Sequence, residues 1–112
     1  MLKEKDYVAL ELCARFRDSR LRLGLTQSEY AEEIGVTRQA VSNYENGTAC
    51  PSILTVSKAL EIDPDISIPT TYQAKAAYRY RHPYRFNMDK ASVDKWMNEH
   101  DVPKDNWPKW NH

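Results

Sequence analysis

The chain has 112 residues and a formal net charge of zero, enough for one domain or one small domain with an appendage. No apolar run approaches a membrane span and the opening Met-Leu-Lys-Glu-Lys-Asp lacks a signal peptide's apolar core, so neither a membrane protein nor a secreted one is expected, and a cytoplasmic location is. Two cysteines, Cys13 and Cys50, are too few for a disulfide scaffold, and with His82, His100 and His112 scattered they show no metal-ligand spacing, so reduced thiols and no metal or cofactor are expected.

The first helix is expected from about Tyr7 to Leu23. Leu12, Phe16 and Leu23 form one apolar stripe with Val8 above it, and Arg15, Arg17 and Arg22 lie around it as solvated residues. Gly24 ends this helix. Thr26 caps the next, with Glu29 three residues later completing a capping box.

From Gln27 to Asn46 the pattern is two short helices joined by a tight turn. Ala31 and Gly35 sit four apart, so two crossing helices can approach closely, and Gly35 also suits a left-handed helix end. Thr37 offers an N-cap hydroxyl to the second helix. Ile34, Val36 and Val41 fill the angle, while Arg38, Gln39, Ser42 and Asn43 are left outward as donors and acceptors suited to base edges.

Gly47 to Pro51 is a loop. Ser52 or Pro51 opens a fourth helix with Ile53, Leu54, Val56, Ala59 and Leu60 as its apolar pattern, ending near Ile62. Pro64 and Pro69 bracket a stretch that cannot continue a helix. This places a boundary between residues 1–66, a helix-turn-helix domain, and residues 67–112, a C-terminal aromatic and basic extension. In the extension, Tyr78-Arg79-Tyr80-Arg81 alternates with period two, so a short strand or a helix over Gln73 to Tyr80 both fit. Val93, Trp96 and Met97 make the apolar face of a last helix, capped by Asn87 or Asp89. The fold class expected is mainly α: a compact four- to five-helix DNA-binding domain plus this extension.

Charge qualifies the DNA reading. Residues 1–66 carry 8 Lys and Arg against 11 Asp and Glu, a net of −3, and residues 67–112 carry 8 against 5, a net of +3. Any DNA affinity must therefore come from local placement of Arg38 and from helix N-termini aimed at phosphates. A modest phosphate count also predicts that two subunits are needed.

The run Arg20-Leu21-Arg22-Leu23-Gly24-Leu25-Thr26-Gln27, then Ala31 to Thr37, then Tyr44-Glu45-Asn46-Gly47 followed by Pro51-Ser52, resembles the helix-turn-helix family of phage repressors and Cro, the xenobiotic-response-element type. The resemblance covers about Arg15 to Ile62. It implies a compact bundle of five or so helices that binds double-stranded operator DNA as a homodimer. It further implies a phosphate contact for Gln27 and base contacts for Arg38, Gln39 and Asn43, with Ser42 between them. Thr37 joins this set at the helix start, and Asn46 and Thr48 fall in a loop that touches the DNA backbone. Arg20 and Glu45 match a structural ion pair that ties the first helix to the end of the recognition helix. Two features depart from the family: Tyr30 stands where an aliphatic Leu is usual, and nothing after Pro69 matches it. Repression rather than activation follows only from family habit.

The extension admits two uses. Arg and Tyr interleave between Tyr72 and Phe86 as on surfaces that track a nucleic-acid backbone. The same tyrosines also suit packing on the helical domain or on a second subunit, and a homodimer interface through Tyr78, Tyr80, Tyr84, Trp96 and Met97 is the favoured expectation. The alternative function is an antitoxin-like module whose residues 70–112 bind a protein partner while the helix-turn-helix autoregulates. An enzyme is not expected, since no nucleophile-base set, glycine-rich phosphate loop or paired carboxylate stands out.

Overall fold

A computed structural model describes residues 2–110; His112 lies outside the described residues. In chain order the helices are α1 (Glu4–Arg22), α2 (Gln27–Ile34), α3 (Arg38–Asn46), α4 (Ile53–Ile62), α5 (Thr71–Arg81) and α6 (Lys90–Glu99), with short 3-10 turns at Pro83–Arg85 and Lys104–Asn106.

Local chemistry sets the helix ends. Thr26 Oγ1 accepts from the Glu29 amide at 3.1 Å and the Glu29 carboxylate accepts from the Thr26 amide at 2.9 Å, the expected capping box. The Thr26 backbone bond, followed by its hydroxyl, holds the Glu29 carboxyl below its ordinary range. Thr37, Ser52, Thr70 and Asp89 each accept from the amide three residues on, opening α3, α4, α5 and α6. Gly35 ends α2 with φ 71, the left-handed region that favours glycine. Its role is this backbone conformation rather than a close helix crossing, because Gly35 lies beyond α2 and a Cβ there would meet the Lys58 side chain of α4. The contact between α2 and α3 is carried instead by Ala31, Ile34 and Val41, which are 3%, 0% and 2% exposed.

α1 is the central strut, and it presents two faces. Leu12 and Phe16 point into the first core, where the Phe16 ring meets Tyr30 and Tyr44 edge-on at 6.3 and 6.1 Å. Burial of each such side chain contributes about 1.5–3 kcal/mol. Tyr30 fills the interior, with its hydroxyl 3.4 Å from Ser19 Oγ, and burial, against the Ser19 bond, raises its phenol pKa. Leu23 does not join this stripe: it follows the end of α1 and is 41% exposed.

The second face of α1 is Tyr7, Glu11, Ala14 and Asp18, at helical spacing, and α5 docks along it. Ala74 and Ala77, at 0% and 1% exposure, let the helices come close. Tyr78 packs edge-on against Tyr7 at 5.2 Å. Arg81 reaches Glu11 at 2.7 Å and Asp18 at 2.9 Å. Burial works against the Arg81 charge, but Glu11 and Asp18 outweigh it and hold its pKa above the ordinary arginine value. Residues 71–81 are thus helical, not a strand: Thr70 and Gln73 form a capping box, and Tyr78 and Arg81, three apart, share the face turned to α1.

The arginines expected in solvent are engaged. Arg15 bonds Glu11 at 3.0 Å, Arg17 lies 3.5 Å from Glu45, and Arg22 reaches Asp63 at 3.2 Å. Buried carboxylates, Glu11 on α1 itself and Glu45 and Asp63 on neighbouring elements, draw these heads inward. A second small core gathers Val93, Met97 and Val102 under Tyr80, Trp96, Trp107 and Trp110. Three expected core residues of α4 are left outside, with Ile53 89%, Leu54 65% and Leu60 36% exposed.

Candidate nucleic-acid interface

Thr37 and the φ 71 turn at Gly35 aim the start of α3 away from α2, so its first residues project from the body. Arg38 and Gln39 are exposed, Ser42 and Asn43 half-buried, and Asn46 and Thr48 exposed at the far end. The residues expected to face DNA therefore share one connected surface along α3 and the loop after it. Thr37 spends its hydroxyl as the α3 cap, accepting from Ala40 at 3.0 Å.

These side chains are already ordered by each other. Gln39 donates to Asn43 at 3.0 Å, and Thr48 Oγ1 donates to the Asn43 carbonyl at 3.2 Å, which fixes the loop to the last turn of α3. Arg38 donates to Gln27 at 3.3 Å, and Gln27 donates to Glu45 at 3.3 Å. Gln27, at the start of α2, thus stands between the reading helix and its structural anchor. Bringing a phosphate to Gln27 would exchange one of these long hydrogen bonds for a charge-assisted one.

The anchor is the pair foreseen between Arg20 and Glu45. It is bidentate, with Nε to Oε2 at 2.6 Å and Nη2 to Oε1 at 2.9 Å, and the remaining Arg20 nitrogen donates to the Leu25 carbonyl at 3.0 Å. Glu45 is 8% and Arg20 13% exposed along their side chains, so the pair is held mostly away from water. Its effect is to set the angle of α3 against α1.

Sequence reasoning missed that this anchor continues into the extension. Arg17 contacts Glu45 and also donates to Asn106, and Asn106 donates to Asp18, which Arg81 holds. A chain of polar contacts runs from the C-terminal turn to the end of α3. The seven-residue spacing of Glu4, Glu11 and Asp18, three acids in register on one face of α1, was the available signal.

The residues expected at a dimer or partner interface are largely engaged within the chain. Met97 is fully buried. Trp96 lies stacked between Tyr80 at 5.0 Å and His100 at 4.0 Å, with Arg81 over its ring. Tyr78 packs on Tyr7, His82 and Phe86. Tyr84 is 55% exposed and its hydroxyl donates to the Lys109 carbonyl at 2.6 Å. Among the described residues, no group of three or more His, Cys, Asp or Glu could hold a metal ion, and no helix is long and apolar enough to cross a membrane.

Comparison with known proteins agrees with this geometry. The helix-turn-helix family matches residues 16–67. An uncharacterized HTH-type transcriptional regulator of Methanothermobacter thermautotrophicus is 50% identical over 38 residues, covering 34% of this chain and 55% of that protein. The Type II methyltransferase M1.ScrFI of Lactococcus lactis subsp. cremoris is 33% identical over 72 residues, covering 62% of this chain and 18% of that enzyme. The chain thus spans about half of one relative and a small part of the other. No solved structure matches. The matched span holds α2, the Gly35 turn and α3, together with the Arg20–Glu45 anchor, and residues 16–67 belong to the helix-turn-helix family of the phage repressor and Cro type.

Proposed function

We propose that the protein is a sequence-specific DNA-binding transcription regulator that acts as a repressor on a palindromic operator, as a homodimer and without enzymatic activity. The observation that carries this reading is the outward row Arg38, Gln39, Ser42 and Asn43 on a helix whose inner side is locked to α2 and α1. Arg38 at the exposed start of α3 suits bidentate recognition of guanine, and Gln39 and Asn43 suit adenine. Gln27, Asn46 at the end of α3 rather than in the loop, and the loop residue Thr48 supply neutral phosphate contacts, in keeping with an acidic helical half. The regulator named among its relatives supports the same reading.

The need for two copies rests on the small number of phosphate contacts and on exposed apolar residues beside the reading surface. Ile53 and Leu54 open α4 directly after the Thr48 loop, and they are the natural place for a second copy to meet the first. Within the extension Tyr80, Trp96 and Met97 are engaged inside the chain, while Tyr72, Tyr84 and Phe86 remain exposed.

Selection of bound duplexes from random DNA tests the proposal. The expected outcome is an enriched palindrome with half-sites about 34 Å apart, one helical turn. Failure to enrich any sequence would remove the reading, and co-purification of a stoichiometric protein partner bound through residues 70–112 would replace it with the antitoxin-like one.

A further inference from the structure

The chain has two cysteines, distant in sequence, and the fold brings both to one cleft beside the loop that follows α3. Cys13, on α1, is 5% exposed, and its Sγ donates to the Ala49 carbonyl at 3.3 Å. Cys50, the next residue after Ala49, is exposed. The two thiols line the same cleft, and burial, then the neighbouring Cys50, pushes the Cys13 thiol up to about 12. The two groups therefore differ in kind. Cys50 is open to a small oxidant, whereas Cys13 is a protonated donor held against the loop.

The loop itself is tied to the reading helix. Thr48 bonds the Asn43 carbonyl through both its amide and its hydroxyl, at 3.0 and 3.2 Å, and the Ala49 amide reaches the same carbonyl at 3.3 Å. A displacement at Cys50 is therefore transmitted to the last turn of α3.

We infer that Cys13 and Cys50 are a peroxide-oxidised modification site, forming a reversible disulfide that draws the loop onto α1 and weakens DNA binding. The effect on DNA rests on the regulator reading above; the disulfide does not. Hydrogen peroxide oxidises the Cys50 thiol to a sulfenic acid and leaves as one water. The Cys13 sulfur then attacks the Cys50 sulfur, the new S–S bond replaces the S–O bond, and the hydroxyl departs with the Cys13 proton as a second water. Two thiols and one peroxide give one disulfide and two waters. The Cys13 proton that bonded Ala49 is gone, Cys50 turns inward, and Thr48 and Asn46 follow it away from the outer face. Disulfides inside cells are commonly of this transient, sensing kind.

The test treats the full chain, fully reduced, with hydrogen peroxide. Remaining thiols are alkylated, and the products are read by intact mass and peptide mapping. The same samples are titrated with a pool of random-sequence duplexes. The expected result is a mass loss of two hydrogens, a linked Cys13–Cys50 peptide reversed by dithiothreitol, and DNA affinity lower by about fivefold or more. Cys50→Ser should lose both responses while binding DNA as the reduced protein does. Recovery of Cys50 as sulfinic acid or as a link between two chains, with Cys13 still alkylatable after denaturation, would overturn the pair. A linked peptide with unchanged DNA affinity would overturn its control of binding. A linked peptide in a protein whose reduced form binds no duplex would overturn the DNA half together with the regulator reading.

Discussion

The helix-turn-helix half and the C-terminal extension grip the same helix, α1, each with apolar packing and ion pairs but in different proportion. On one side Leu12 and Phe16 meet Tyr30, Ile34 and Tyr44 through apolar and aromatic packing. On the other, Glu11 and Asp18 meet Arg81, Arg15 and Asn106 through buried charge. Apolar packing tolerates change of shape as long as volume is kept, whereas a buried charge left without its partner is strongly destabilising. The first half carries the proposed reading surface, and the second adds polar contacts behind α1 and the end of α3.

Removing Arg81 breaks that comparison most directly. Arg81→Met leaves Glu11 with Arg15 alone and Asp18 with neutral Asn106 alone, the two carboxylates being 3% and 4% exposed, and it should lower unfolding free energy by about 3 kcal/mol in urea titrations. A loss below about 1 kcal/mol, the median for a surface pair, would make the extension an appendage. Glu45→Ala follows, at about 3 kcal/mol, because it frees Arg20 and loosens α3 from α1. Its DNA affinity should fall along with its stability, and a stable variant with normal affinity would contradict the anchoring role.

Asp63 sharpens the comparison by pH. Burial opposes its charge, but Ser19, Arg22 and the Asp65 amide outweigh burial and hold its carboxyl below the usual aspartate range. A group depressed in the folded state contributes stability that is present above its unfolded pKa, about 3.9, and is lost as pH falls through the lower folded value. Melting temperature should therefore drop on acidification below about pH 4, and Asp63→Asn should flatten that drop. An equally steep drop in the variant would remove Asp63 from the acid response. On the apolar side, Ile34→Val should cost about 0.5–1.5 kcal/mol, by the same urea titrations, since one buried methylene is lost.

The contrast between the halves also explains what could be read in advance. The capping boxes, the Gly35 turn and the outward row on α3 depend on residues three or four apart, so their chemistry is written locally. The Arg20–Glu45 pair was legible through family resemblance. The charged seam was not: Arg81 finds Glu11 and Asp18 from 70 and 63 residues away, and nothing local marks Arg17 or Arg22 as anything but solvated, although Arg15 has Glu11 four residues before it. Tyr78 to Arg81 fitted strand and helix alike because its period-two alternation is short. The Thr70–Gln73 box and the small face of Ala74 and Ala77 decide for the helix. Ile53 and Leu54 misled in the opposite sense, since the apolar pattern of α4 runs wider than the surface it buries.

The most direct test concerns Arg38, which is exposed and hydrogen-bonds Gln27. Affinities of the wild-type protein and Arg38→Ala should be measured on a selected duplex and on the same duplex with single guanines replaced. The variant should keep its melting temperature, with a stability change within about 0.5 kcal/mol. It should also lose about 1–3 kcal/mol of discrimination at one guanine in each half-site. Unchanged discrimination in a folded variant would contradict the assignment of α3 as the helix that reads the bases.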